Sequence, residues 1–142
     1  MDSLSSASPA RLYALLVGGV LTIAGIIGFF YSSSFDTGSS VPSDDVLGIL
    51  AVNGWHNVVH LVTGLLGLAA AAYAARAYAL ILGLVYLVVA IWGFTVTQGG
   101  VGVILDFLPV NTEDNVLHLV LGLTGLAAAA ATTRAVKPAP AT

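Results

Sequence analysis

Residues 53–72, NGWHNVVHLVTGLLGLAAAA, and residues 111–130, NTEDNVLHLVLGLTGLAAAA, are two versions of one sequence. They lie within a longer match that aligns Leu47–Ala72 with Leu105–Ala130 at a constant offset of 58, with 17 identities in 26 positions. Such similarity between two parts of one chain indicates an internal repeat, and a repeat governs the prediction of the whole fold.

The repeat extends toward the N-terminus through a second match. Arg11–Phe29 aligns with Arg76–Phe94 at an offset of 65, with 9 identities in 19 positions. The chain is therefore predicted to hold two copies of one helical hairpin. Because each copy supplies two spans, both copies enter the membrane from the same side. The predicted duplication is parallel, with a pseudo-two-fold axis along the membrane normal.

The composition requires lipid surroundings. Of the 142 residues, 58% are hydrophobic and 8% are charged, and the mean hydropathy is +0.98. A soluble domain carries roughly 25% charged residues, so this chain could not cover a soluble surface. Its 4 basic residues exclude a nucleic-acid partner, and the count of 0 cysteines excludes disulfides and thiolate metal sites.

Four uncharged runs have the length of a membrane-spanning helix, which needs ~20 apolar residues. These predicted spans are Leu12–Tyr31, Gly54–Tyr73, Tyr78–Thr97 and Asn115–Thr132. The fold class is therefore an all-α integral membrane protein with four transmembrane helices. The predicted organisation is a mobile N-terminus at 1–11, a first repeat at 12–73, a second repeat at 74–132 and a mobile tail at 133–142, in one domain.

The charges predict an orientation. The basic residues precede the first span, separate the second from the third, or follow the fourth: Arg11, Arg76, Arg134 and Lys137. Since cationic flanks stay in the cytoplasm, both termini are predicted to be cytoplasmic. All acidic residues except Asp2 fall in the two opposite loops, which agrees with this orientation.

Polar and small residues recur along one face of each repeated span. The spacing is 3-4-3-4 for Asn57, His60, Gly64, Gly67 and Ala71, and again for Asn115, His118, Gly122, Gly125 and Ala129. Small residues allow membrane helices to pack closely, so these faces predict the seams of a four-helix bundle with roughly +20° crossings. The second and third spans, joined by about four residues, are expected to be the best antiparallel neighbours.

The two outer loops contain apolar segments. Ser43–Leu50 is predicted to be a short, capped amphipathic segment at the membrane surface, and Gly102–Leu108, before Pro109, is its counterpart. Thr112 is predicted to cap the fourth span. We expect both segments to cover the outer end of the bundle.

The repeated Asn-x-x-His-Leu-x-x-Gly motif, preceded by Leu-Pro-Val-Asn at residues 108–111, resembles a family of small prokaryotic four-span membrane proteins classed as a domain of unknown function. The motif positions are Asn53, Asn57, His60 and Gly64, and then Asn111, Asn115, His118 and Gly122. The resemblance covers nearly the whole chain and implies a prokaryotic plasma-membrane protein. It implies no activity, substrate or cofactor.

The paired histidines allow two interpretations. His60 and His118 could be axial ligands of a haem or chlorin, with Gly64 and Gly122 leaving room for the ring edge one turn further on. Alternatively, both imidazoles hydrogen-bond across the bundle to Asn57, Asn115 or loop carbonyls and fix the helix register. Duplication would preserve such a structural pair without any cofactor.

A metal site is a further interpretation. His56, His60, His118 and Asp114 could bind a divalent ion at the outer surface, because imidazole and carboxylate suit zinc or manganese. His56 with Trp55 could instead anchor the second span at the membrane interface.

The sequence contains no nucleophile–base pair and no charged group at mid-membrane. We therefore predict a non-enzymatic membrane protein that self-associates or serves as an accessory subunit of a larger membrane complex. The alternatives are a bis-histidine haem or chlorin protein in electron transfer or pigment binding, and a metal or small-solute transporter.

Overall fold

The computed structural model describes residues 7–39 and 41–132, and over this part the chain forms four helices and two β-hairpins. The helices are α1 (Pro9–Gly28), α2 (Gly54–Ala70), α3 (Ala75–Thr97) and α4 (Thr112–Ala131). The strands are β1 (Asp44–Val46), β2 (Leu50–Val52), β3 (Gly102–Ile104) and β4 (Leu108–Val110).

The chain becomes helical earlier than its charge pattern suggested. Pro9 occupies the first turn of α1, and the Ser8 side chain caps that turn by accepting a hydrogen bond from the Arg11 amide at 3.3 Å. Residues 9–11 are therefore helical, and the expectation of a mobile segment through residue 11 is wrong for them. Proline suits a first turn because it lacks an amide hydrogen that would be unpaired there. The predicted mobile tail, 133–142, lies outside the described residues.

The outer-loop segments are β-hairpins and not the capped segments that were predicted, while their position at the membrane surface stays a prediction. Strand β1 pairs antiparallel with β2, and β3 pairs antiparallel with β4. Each three-residue turn holds two left-handed residues, Leu47 and Gly48 in the first and Leu105 and Asp106 in the second. Consecutive positive φ angles reverse the chain and prevent a helix from continuing. Strands of three residues are too short to show a period in the sequence.

The predicted small-residue seams are confirmed, and they join α1 to α2 and α3 to α4. Gly18 on α1 lies against the main chain of Gly64 on α2. Gly83 on α3 lies in the same way against Gly122 on α4. A Cβ atom at any of these positions would collide with main-chain atoms of the facing helix, so each glycine permits the close approach.

The expected close pairing of α2 with α3 is wrong. These helices are joined by a short turn, but they contact each other far less than α1 contacts α2 or α3 contacts α4. Helix α1 packs instead against both α3 and α4 and joins the two hairpins. The short connection brings only the helix ends together, whereas the glycine seams determine which helices pack along their length.

Two tyrosines link the first half of the chain, which holds α1 and α2, to the second half, which holds α3 and α4. The Tyr13 hydroxyl on α1 donates to the carbonyl oxygen of Leu121 on α4 at 2.8 Å. The Tyr78 hydroxyl on α3 donates to the carbonyl oxygen of Thr63 on α2 at 3.0 Å. In the sequence alignment Tyr13 matches Tyr78, and Thr63 matches Leu121, so the two bonds are reciprocal.

Helices α1, α3 and α4 are long and apolar enough to cross a membrane. Their outward faces carry large exposed aliphatic side chains, among them Ile23, Ile91 and Leu123. Such faces suit contact with lipid. Helix α2 has 17 residues and ends at Ala70, three residues before the predicted end of its span.

Candidate metal centre

The three histidines of the chain lie together at the ends of α2 and α4 nearest the hairpins. His56 and His60 are one turn apart on α2, and His118 projects from α4. One ring nitrogen of each histidine lies within 4.8 Å of those of the other two. Helices α2 and α4 make few other contacts with each other. At these ends they bring three metal-binding side chains together.

The rings surround a common space. The centroid of His56 is 4.4 Å from that of His60 and 6.1 Å from that of His118. On its other side His118 stacks on the ring of Tyr86 from α3, with centroids 5.1 Å apart. A zinc ion at ~2.0–2.1 Å from three tetrahedral ligands needs their nitrogens about 3.4 Å apart, a small contraction from this arrangement.

Two of the imidazoles have unused hydrogen-bonding capacity. His56 and His118 are 3% and 5% exposed, and the Nδ1 atom of each lacks a hydrogen-bond partner among the described residues. Burying a polar atom without a partner costs free energy, so such atoms call for explanation. A metal ion or another ligand would satisfy them. The predicted hydrogen bonds from His60 or His118 to Asn57 or Asn115 are not formed.

The cluster opens onto a cavity of about 270 Å³. His56, His60 and His118 line one part of its wall, and Tyr86 lies beside them. The remaining wall is almost entirely aliphatic and aromatic, from α2, α3 and the β3–β4 hairpin. Few converging polar groups in an apolar cavity are typical of a ligand site.

Asp114 does not point toward the histidines. Its Oδ2 atom accepts hydrogen bonds from the amides of Ala51 and Asn111, both at 3.0 Å. It thereby completes a capping box at the start of α4, whose cap is Asn111 and not the predicted Thr112. The structure thus brings together three of the four predicted metal ligands.

The sequence explains why His56 occupies the position equivalent to Asp114. In the repeat, Ala51 corresponds to Pro109, and the side chain of His56 lies beside the main chain of both. Proline has no amide hydrogen to donate, so a carboxylate at position 56 would lack the bond that Asp114 receives from Ala51. An imidazole can face proline without that loss.

The four motif asparagines hold the helix ends that carry the histidines. Asn53 and Asn111 cap α2 and α4, and each also bonds the hairpin of the other half. Asn57 and Asn115 are fully buried, and Asn57 donates to the carbonyl oxygen of Ser32 at 2.8 Å. All four have structural positions around the cluster.

Gly64 and Gly122 face neighbouring helices and not the histidine cavity. Their hypothetical Cβ atoms would meet α1 and α3 respectively. A porphyrin or chlorin ligated by His60 and His118 would also need the space that the His56 ring fills.

Tyr86 is the site residue that the sequence analysis missed. Its hydroxyl is buried and has no hydrogen-bond partner among the described residues, although it lies near Thr63. The available signal was a departure from the repeat, because the equivalent residue on α1 is Leu21. Both halves share the groups that build the bundle, whereas Tyr86 and His56 occur in one half only.

These features define a class of small helical proteins with membrane-span-like helices and a histidine cluster at one end of the bundle. The chain belongs to the family described as Domain of unknown function (DUF4383), whose model matches residues 11–131. No curated protein and no solved structure matches the chain.

Proposed function

We propose that this protein binds a divalent transition-metal ion, zinc in the first instance, through His56, His60 and His118. The observation that carries the proposal is the approach of one nitrogen from each histidine to within 4.8 Å of the others. Three neutral nitrogen donors with an open fourth position are the ligand set of several zinc sites. Two of these histidines also have a buried Nδ1 atom without a hydrogen-bond partner among the described residues.

Metal titration of the purified, detergent-solubilised protein tests this proposal. We expect one zinc ion per chain, and each of the variants His56→Ala, His60→Ala and His118→Ala should lose affinity. The loss should exceed the ~10–100-fold typical of removing an outer-shell partner. Thr63→Ala, which alters the same cavity without removing a ligand, is the matched control. Unchanged zinc binding in all three histidine variants would refute the site.

A Soret band in the visible spectrum of the purified protein would instead support the haem or chlorin alternative.

We further propose four membrane spans, with α2 as the fourth and both termini in the cytoplasm of a prokaryotic cell, in the plasma membrane. A helix of 17 residues is about 25 Å long, close to the hydrocarbon thickness, and α2 packs along α1. The reciprocal tyrosine bonds support two copies of one hairpin related by a pseudo-two-fold axis.

Cysteine labelling tests the fourth span, because the native chain has no cysteine. Thr37→Cys places an exposed thiol in the loop between α1 and the first hairpin, and Tyr73→Cys places one in the turn just after α2. A membrane-impermeant maleimide added to intact cells should label position 37 and spare position 73. Labelling of both positions from outside would refute the fourth span.

We propose, last, a non-enzymatic role in an assembly, through self-association or as an accessory subunit. The support is a cavity wall that is apolar apart from the three imidazoles, Thr63 and Tyr86, together with the large exposed aliphatic faces of the helices. Single cysteines at the outward-facing positions Ile23 and Ile91 would report contacts between chains in native membranes. Disulfide-linked adducts are expected, and recovery of monomer alone from both variants would contradict this role.

A further inference from the structure

The histidine cavity continues into a crevice between α2 and α3. A second cavity, of about 280 Å³, shares Thr63, Leu82 and Val85 with the first and extends past Tyr78. Along α3 the crevice runs from Tyr86 to Tyr78, which is ~12 Å at 1.5 Å per residue. Its length suits an alkyl chain.

The two ends of the crevice differ in chemistry. At the end nearest the hairpins lie three imidazoles and the hydroxyl of Tyr86, which is 4% exposed and makes no hydrogen bond in the described chain. Beyond Thr63 the lining is apolar apart from the ring of Tyr78, whose hydroxyl is bonded to Thr63. One polar end joined to an apolar passage matches an amphiphile.

The crevice lies between α2 and α3, beside residues that depart from the repeat. The equivalent helices on the other side, α4 and α1, pack together, with Leu21 buried where α3 has Tyr86. Two of the polar groups that depart from the repeat, His56 and Tyr86, lie beside the crevice. Tyr86 and His56 are thus tied to the crevice rather than to the shared architecture.

The charge of the proposed metal ion indicates the chemistry of the polar end of the ligand. A divalent ion bound by three neutral imidazoles keeps two positive charges, which are costly in a buried site unless an anion accompanies them. No acidic side chain lines the cavity in the part of the chain that the structure describes, and Asp114 is bonded to the main chain. An anion from outside the protein therefore has to accompany the ion, and the apolar crevice beside the open coordination position favours an anion that carries an alkyl chain.

We propose that the crevice binds a fatty carboxylate, with its headgroup on the metal ion and its alkyl chain between α2 and α3. This inference rests on the proposed metal site. The carboxylate fills the open coordination position and accepts a hydrogen bond from the Tyr86 hydroxyl. It neutralises part of the ion's charge without any protein carboxylate.

The test uses the full chain loaded with cobalt in phosphatidylcholine nanodiscs, since the visible bands of cobalt respond to a change of ligand. Decanoate should shift these bands at saturable concentrations. Decanol has the same chain without the anion and should leave them unchanged. Acetate has the anion without the chain and should need more than ~100-fold higher concentration, because each buried methylene adds to affinity.

Two variants separate the crevice from the metal. Ile81→Trp fills the crevice from an exposed position that does not line the histidine cavity. It should weaken the decanoate response at least ~10-fold while cobalt binding persists, because several methylenes lose their place. Val62→Trp, a comparably exposed change outside these two cavities, is the control. Tyr86→Phe should weaken decanoate about 5-fold through the lost hydrogen bond.

The other outcomes would contradict the crevice, the metal site or both. Equal responses to acetate and decanoate, or a full response in Ile81→Trp, would overturn the chain-binding crevice and leave the metal site standing. A cobalt spectrum insensitive to decanoate would do the same. Absence of cobalt bands in the unmodified protein would overturn the metal site, and this inference with it.

Discussion

The side-chain amide nitrogen of Asn53 donates a hydrogen bond to the carbonyl oxygen of Phe107 at 2.8 Å. Asn111, its counterpart in the repeat, donates to the carbonyl oxygen of Ile49 at 2.6 Å, and Ile49 is the counterpart of Phe107. Each asparagine therefore caps its own helix and holds the hairpin of the other half. The helix ends that carry the histidines are fixed from both halves at once.

Replacement of Asn53 separates these two contributions. Asn53→Ala should lower the free energy of unfolding by about 2 kcal/mol, because it removes both the cap and the bond to Phe107. Asn53→Ser keeps a capping oxygen for the His56 amide but cannot reach Phe107, so about 1 kcal/mol should be lost. Unfolding in mixed micelles with increasing dodecyl sulfate, followed by circular dichroism, measures both. A serine variant as stable as the native protein would show that the bond to Phe107 contributes nothing.

The sequence was informative where the same pattern occurs twice along a helix. The glycine and asparagine spacings predicted the packed faces of α2 and α4, and the repeat predicted which helices have equivalent roles. The hairpins were missed because three-residue strands show no period and their turns depend on positive φ angles at Leu47 and Leu105. The pairing of α2 with α3 was wrong because loop length constrains only helix ends. Tyr86 was missed because a lone tyrosine in an apolar helix resembles a packing residue until its neighbours are known.

Gly28 should not tolerate a side chain. An added Cβ atom would overlap the side-chain amide of Asn57, which is fully buried and bonded to Ser32. We expect Gly28→Ala to cost ~1–3 kcal/mol of stability or more, as overpacking does elsewhere.

Gly19 supplies the control, since a Cβ atom there would meet nothing within 4 Å. Gly19→Ala should leave the stability unchanged or raise it by up to ~1 kcal/mol, through the higher helix propensity of alanine. Thermal unfolding of Gly28→Ala and Gly19→Ala in one detergent compares the two substitutions. Equal effects of the two substitutions would contradict the close contact of Gly28 with Asn57.

The tyrosine bonds between the halves predict a small, matched loss. Tyr13→Phe and Tyr78→Phe each remove one hydroxyl that donates to a helix carbonyl, and each should cost ~0.5–1.5 kcal/mol. Tyr73→Phe is the control, because Tyr73 is 83% exposed at the turn after α2. Detergent unfolding of the three variants measures the differences. A loss in Tyr73→Phe equal to the other two would mean that the bonds between the halves add no stability.

Asp114→Asn tests whether the metal site has three protein ligands or four. The carboxylate receives its hydrogen bonds from the amides of Ala51 and Asn111, so it is not free to bind an ion held by the histidines. We expect zinc affinity to change by less than ~3-fold, which is under 1 kcal/mol. Stability should change by less than about 1 kcal/mol, because the amide oxygen of asparagine can still accept these two bonds and the buried site no longer holds a charge. His118→Ala, measured in parallel, should lose zinc. If Asp114→Asn also loses zinc while its helical content is intact, the carboxylate must leave Ala51 when the metal binds, and the four-ligand site predicted from the sequence is the correct one.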